Sequence, residues 1–130
     1  MKKIMTSRFG EIDVEDDAVI HFSAGIPAFE EEHEFLIIPY GEDGTYVFLQ
    51  SVKTPDLAFL MTMPLTFFPD YEFTIDDDVE RELELTSPDD VLIYTVLTLS
   101  GKEIRDLTAN LIAPIVINAK TRKGKQIVLD

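Results

Sequence analysis

The sequence predicts a mainly β fold: one small, closed or partly open β-barrel-like single domain with one short helix. Three observations lead there. Short runs rich in Val, Ile, Leu, Phe, Tyr and Thr recur along the chain, with Gly, Pro, Asp or Asn between them, as strands and turns do. Several runs are apolar at consecutive positions, so both faces of those strands must be covered. A closed sheet with a helix packed on one side achieves this and leaves few exposed edges. One segment alone, near residues 76–83, carries helical spacing.

In order, residues 4–7 form a first strand and Arg8-Phe9-Gly10 a turn. Residues 11–14 alternate polar and apolar, as a half-buried strand does. Residues 18–22 are a third candidate, broken by Gly25-Ile26-Pro27. Residues 35–38 are apolar on both faces and end at Pro39. Gly41-Glu42-Asp43-Gly44 reads as a hairpin loop into a strand over 46–52. After the turn Thr54-Pro55-Asp56, a strand over 57–63 ends at Pro64. The helix has Asp77 as its cap with Glu80 three residues on, Val79 and Leu83 on one face, and Thr86-Ser87-Pro88 as its stop. Residues 91–99 form the longest strand. Strands over 115–118 and 126–129 flank Arg122-Lys123-Gly124-Lys125, read as a hairpin tip.

The chain has 130 residues, the size of one domain, and 45% of them are apolar, enough for a core without disulfides or metal. There is no cysteine, which fits a reducing compartment and excludes a thiol nucleophile. The basic residues near Met1 are not followed by an apolar run, so no secretory signal is expected. No stretch free of charge exceeds 13 residues, as in residues 57–69, whereas a spanning helix needs about 20. The expectation is a cytoplasmic protein that does not enter membranes.

The net charge is −14. Between Gly10 and Ser100 there are 22 acidic residues, and Lys53 and Arg81 are the only basic ones. Such a body repels nucleic acid and anionic lipid, and attracts basic partners. The plainer reading, that the acids serve solubility, stands beside it.

Catalytic motifs are missing. His21 and His33 lie 12 residues apart without metal-ligand spacing. No nucleophile elbow, P-loop or dinucleotide fingerprint occurs. Asp76-Asp77-Asp78 lacks the glycine and glutamate of a calcium loop and suits helix capping. No cofactor, metal or enzymatic activity is expected. A barrel that binds a small apolar ligand and a carboxylate-based hydrolase are weaker alternatives.

Two stretches are unusual as strand sequence. Pro64-Leu65-Thr66-Phe67-Phe68-Pro69-Asp70-Tyr71-Glu72-Phe73 crowds aromatics beside acids, as core filling or as an exposed contact surface. Residues 108–118 place Pro114 inside an apolar run. That predicts an edge strand or bulge, and an apolar edge could accept a strand from a partner.

These stretches join Arg8-Phe9-Gly10-Glu11-Ile12, Gly25-Ile26-Pro27-Ala28-Phe29-Glu30, Leu49-Gln50-Ser51 and Pro55-Asp56-Leu57-Ala58-Phe59 in one ordered set. The set covers nearly the whole chain and resembles the FliW family of flagellar assembly factors. Ala28 departs from a position where that family commonly has glycine, which matters only if the loop needs φ > 0. The resemblance implies a non-enzymatic regulator, monomeric when free, that binds flagellin. It also implies binding to CsrA, a basic RNA-binding dimer that represses flagellin translation, beside the RNA groove. FliW released as secretion drains flagellin would capture CsrA and lift repression. The alternative is a flagellin chaperone with no translational role. Carried over by motif, the CsrA contact falls on Phe68, Asp70, Tyr71, Glu72, Asp76 and Asp77. The flagellin contact falls on Asn110, Leu111, Ala113, Pro114, Ile115, Val116 and Asn118. The two assignments could be swapped or overlap.

Overall fold

The computed structural model describes residues 2–27, 29–41, 45–99 and 107–129. Eleven named elements position everything that follows: β1 (Lys2–Thr6), β2 (Gly10–Val14), β3 (Ile20–His21), β4 (Glu34–Tyr40), β5 (Tyr46–Ser51), β6 (Ala58–Thr62), α1 (Asp77–Glu82), β7 (Val91–Leu99), β8 (Leu107–Ala109), β9 (Ile115–Asn118) and β10 (Lys123–Gln126). Seven strands follow one another as β6-β5-β4-β3-β10-β9-β7, and β7 returns to β6 through Met61↔Val96 and Thr62↔Thr95, closing the ring. The pairs are antiparallel except for β3 with β10. β8 also pairs with β7, and β1–β2 is a separate hairpin.

The strands that read as apolar on both faces lie between the barrel core and one of two outer cores. Within the barrel, Phe22, Phe35, Leu49, Met61, Ile115 and Ile117 are fully buried. On the outside of β4, Leu36 packs with Ile4, Val14 and Val19 beneath the β1–β2 hairpin. On the outside of β9, Val116 packs with Val79 and Leu83 of the helical segment. Each such side chain contributes roughly 1.5–3 kcal/mol of transfer free energy on full burial. The period-two alternation of side chains lets one strand supply both cores.

Several sequence expectations are corrected. The strand expected to stop before Pro39 continues through it to Tyr40, with Pro39 opposite Val47. Along β4, β3 pairs only with Glu34 and Phe35, so the missing N–H of Pro39 breaks no ladder with it. Residues 18–22 give only the two-residue β3 behind a short 3₁₀ turn, Asp16–Ala18. Asp76, not Asp77, caps α1: its backbone is extended and its carboxylate accepts from the Val79 N–H at 3.0 Å. α1 stops at Glu82, ahead of the expected Thr86-Ser87-Pro88, where Glu84 takes φ 57°.

The expected basic hairpin tip is a strand. The turn lies at residues 119–122 and β10 begins at Lys123, opposite Asn118. Gly124 is there for space, since a Cβ would come 2.8 Å from Cζ of the buried Phe22. Gly25 is required on two counts: φ is +69°, and a Cβ would meet the Glu30 carbonyl oxygen at 2.5 Å. Ala28 and residues 42–44 of the expected hairpin loop lie outside the described residues.

Candidate protein-interaction surface

β6 ends at Thr62, and Pro64 opens a 3₁₀ turn, Pro64–Thr66. The Pro64 carbonyl accepts from the N–H groups of Phe67 (3.1 Å) and Phe68 (2.8 Å). A second turn follows at Pro69-Asp70, with the Tyr71 N–H on the Phe68 carbonyl at 3.0 Å. Two tight turns in succession give this apolar sequence no regular face to bury. Pro64 is buried, while Met63, Leu65, Phe67 and Phe68 are all exposed, Phe67 by half. Phe67 stacks on Tyr46 with centroids 6.4 Å apart.

The second flagged stretch resolves into two parts. β8 and β9 pair in succession along β7, and the residues between them bulge out. The Asn110 N–H donates to the Val96 carbonyl at 3.0 Å. The carbonyls of Ile112 and Pro114 accept from the N–H groups of Leu129 (2.7 Å) and Ile127 (2.9 Å). Pro114 thus sits in a bulge, as its missing N–H requires. Ile112, at the bulge, is 68% exposed.

The expected apolar edge is corrected. β9 has β7 on one side and β10 on the other, and all four of its residues are buried. Ala113, Pro114, Ile115, Val116 and Asn118 therefore offer no surface to a partner of the closed barrel. Asn118 is a structural hub. Its Nδ2 donates to the carbonyls of Leu83 (2.8 Å) and Glu84 (3.1 Å), and its Oδ1 accepts from the N–H groups of Lys120 (2.8 Å) and Thr121 (3.2 Å). What the stretch does present is Asn110, half-buried Leu111 and Ile112.

The Tyr71 hydroxyl joins the two stretches by donating to the Leu111 carbonyl at 2.6 Å. Burial pushes its pKa up, which keeps it a donor across the neutral range. The residues assigned to two contacts by motif therefore adjoin one another. Beside them stand Asp70, Glu72, Asp77 and Glu80, which make no ion pair among the described residues. The other acids of the helical segment are engaged: Asp78 with Arg81, Glu82 with Lys125 at 3.1 Å, and Glu84 with Lys123. The basic residues of β10 thus neutralise the far end of α1 and leave its beginning negative.

Sequence reasoning passed over Ile112, Leu65 and Met63. They lie in or beside the flagged stretches, but which apolar residues face outward depends on the turns. It also missed Glu32, whose carboxylate accepts from the hydroxyls of Ser51 (2.5 Å) and Thr54 (2.6 Å). Burial, the largest influence, disfavours its charge. The two hydrogen bonds, with Lys53 and His33, outweigh burial and hold the carboxyl below its usual range. This latch fixes the turn after β5, which Gln50 braces by donating to the Ser51 carbonyl at 3.0 Å. Among the described residues no group of three or more His, Cys, Asp or Glu could hold a metal ion. No helix there is long and apolar enough to cross a membrane.

A sequence model of the FliW protein family matches residues 3–130. The flagellar assembly factor FliW of Geobacillus kaustophilus is 43% identical over 127 residues, which span 98% of this chain and 87% of that protein. That of Moorella thermoacetica is 40% identical over 128 residues, spanning 98% and 81%. A crystal structure of the flagellar assembly factor FliW superposes with a TM-score of 0.91 at 40% identity, covering 98% of this chain and 89% of that one. With the match running almost from end to end in both sequence and fold, the chain belongs to the FliW family.

Proposed function

We propose that this chain is a cytoplasmic flagellar assembly factor that works by binding and not by catalysis. It holds flagellin, and when free of flagellin it captures CsrA and relieves repression of flagellin translation. One observation carries the reading: an exposed apolar surface, Met63, Leu65, Phe67, Phe68 and Ile112, is tied together by the Tyr71–Leu111 hydrogen bond and flanked by acids that make no ion pair among the described residues. Contiguous exposed aromatic and aliphatic side chains with a charged margin suit a protein partner. Its relatives carry the name flagellar assembly factor.

The division of labour follows from chemistry. Flagellin contacts the apolar part, from Phe68, which the family motif places in the CsrA contact, across to Asn110, Leu111 and Ile112. CsrA, being basic, contacts Asp70, Tyr71, Glu72 and the acids at the start of α1. Because Tyr71 on the CsrA side is hydrogen-bonded to Leu111 on the flagellin side, the two contacts adjoin and the two partners compete. A body with 22 acids against two basic residues between Gly10 and Ser100 also steers a cationic dimer toward it and repels RNA phosphate beside it. The alternative, a flagellin chaperone with no translational role, is favoured by the apolar character of the patch alone.

Calorimetric titration of purified CsrA and purified flagellin into the whole protein decides between them. Binding of both, with CsrA affinity falling as salt rises, is the expected result. Binding of flagellin alone would leave the chaperone, and binding of neither would reject the proposal.

A further inference from the structure

We infer that the cleft between residues 72–75 and the N-terminal half of β7 is a docking slot for an extended cationic peptide, which enters as an added strand. The slot shares Tyr71, Glu72 and Asp77 with the contact proposed for CsrA, but the inference rests on the backbone and clefts described below and not on that assignment.

The first wall is a strand without a ladder. Glu72, Phe73, Thr74 and Ile75 make no backbone hydrogen bond among the described residues. Yet their burial alternates as in a strand: Phe73 and Ile75 pack toward Val79, Leu83 and Val116, while Glu72 and Thr74 are exposed. Four consecutive backbone donors and acceptors are left to solvent or to a partner.

The second wall is the open edge of β7. In an antiparallel pair, alternate residues turn both backbone groups toward one neighbour. The Ala119 N–H donates to the Asp90 carbonyl at 2.8 Å, which places Leu92 and Tyr94 in the hydrogen-bonded positions toward β9. Ile93 therefore turns its N–H and C=O the other way. On that side β6 pairs only with Thr95 and Val96, and its chain leaves into the 3₁₀ turn at Pro64. Ile93 makes no backbone bond there among the described residues.

Between these walls lie two adjoining clefts that share Phe73 and Thr74. One, of about 490 Å³, also touches Ile75 and Val91. The other, of about 530 Å³, also touches Tyr71 and Ile93. The lining is mixed, with Phe73, Ile75, Val91 and Ile93 supplying its apolar part, and backbone unpaired among the described residues lies on either side. That is the combination a peptide exploits when it adds a strand, with main-chain bonds giving affinity and alternate side chains giving specificity.

The margin identifies the occupant. Glu72 and Glu80 line the clefts, Asp77 stands at the helix start, and none of them has a basic partner among the described residues. A second copy of a chain with net charge −14 is repelled from such a margin. The complementary ligand is a segment that alternates β-branched residues, set onto the Phe73, Val91 and Ile93 floor, with Lys or Arg reaching the acids.

The test uses a blocked nine-residue peptide of alternating Val and Lys. Its control is the same peptide N-methylated at alternate residues, which keeps charge and side chains but removes the donors along one edge. Amide hydrogen exchange of the whole protein is followed by NMR at low salt. With saturating peptide, the amide of Ile93 and alternate amides within residues 72–75 should gain at least tenfold protection. The N-methylated peptide should bind at least tenfold more weakly, and Glu72→Lys should weaken the unmodified peptide severalfold. Equal binding of the two peptides would mean charge attraction without strand pairing and would overturn the inference. So would the absence of protection at these amides at millimolar peptide. Protection that follows protein concentration without peptide would put a second copy in the slot and would overturn it as well.

Discussion

β9 and the segment over residues 63–73 look alike as sequence and end in opposite places. Each is rich in large apolar residues and each begins beside a proline. β9 has ladder partners on both sides and both faces covered, so Ile115, Val116, Ile117 and Asn118 vanish from the surface. The other segment leaves β6 at Pro64, coils through two tight turns and holds Leu65, Phe67 and Phe68 in solvent. What separates them is pairing, not hydrophobicity: a strand with neighbours on both edges buries what it carries, and a run of turns cannot. The apolar content of β9 is therefore structural, and that of residues 63–73 is free to meet another protein.

The sharpest way to break this comparison is to shorten side chains in each region. Ile117→Ala should cost roughly 2–5 kcal/mol of unfolding free energy, because the closed barrel cannot collapse around the gap. Urea unfolding checks it, and a loss below about 1 kcal/mol would mean β9 is not the core strand described. Gly124→Ala, which presses on Phe22, should cost about 1–3 kcal/mol by overpacking. Next comes Tyr71→Phe, which removes the hydrogen bond to Leu111 and should lower stability by about 1 kcal/mol. Its informative readout is faster amide exchange around Asn110 and Ile112, and unchanged exchange would show that the tether is dispensable.

A smaller effect sits in the Glu32 latch. Its folded pKa lies below its unfolded one, so its contribution to stability is complete above the unfolded value, about 4.5. It is lost as pH falls through the folded value. Glu32→Gln should therefore narrow its stability deficit relative to wild type as pH drops from 6 toward 3. A deficit independent of pH would assign the latch to hydrogen bonding without charge. Smallest of all, Lys123→Ala should change stability by no more than about 1 kcal/mol, since its pair with Glu84 is solvent-exposed.

The parts of the fold legible in the sequence were those where local pattern and tertiary context agree. The bounds of β7 and β9 follow from unbroken β-branched and aromatic runs, and the two-faced burial follows from their lack of alternation. Gly124 was misread because a glycine beside lysines looks like a turn, while its actual cause is a phenylalanine ring about a hundred residues earlier in the chain. Lys123 and Lys125 looked like a solvated tip because their partners, Glu84 and Glu82, are some forty residues away. The edge assignment of residues 115–118 failed for the same reason: Pro114 marks a break in the ladder, but only the path of β10 and the residues after it shows what covers the other side. At the candidate site the aromatic and acidic stretch was visible as composition. Its adjacency to Leu111 through Tyr71 spans forty residues and was not.

The direct test of the surface assignment is a calorimetric titration of flagellin into the wild type and into Phe68→Ser combined with Ile112→Ser, with thermal unfolding of both. The double variant should keep its Tm within about two degrees, since exposed side chains contribute little to folding, and should bind at least tenfold more weakly. Unchanged affinity with an intact fold would contradict the claim that flagellin is held by this surface.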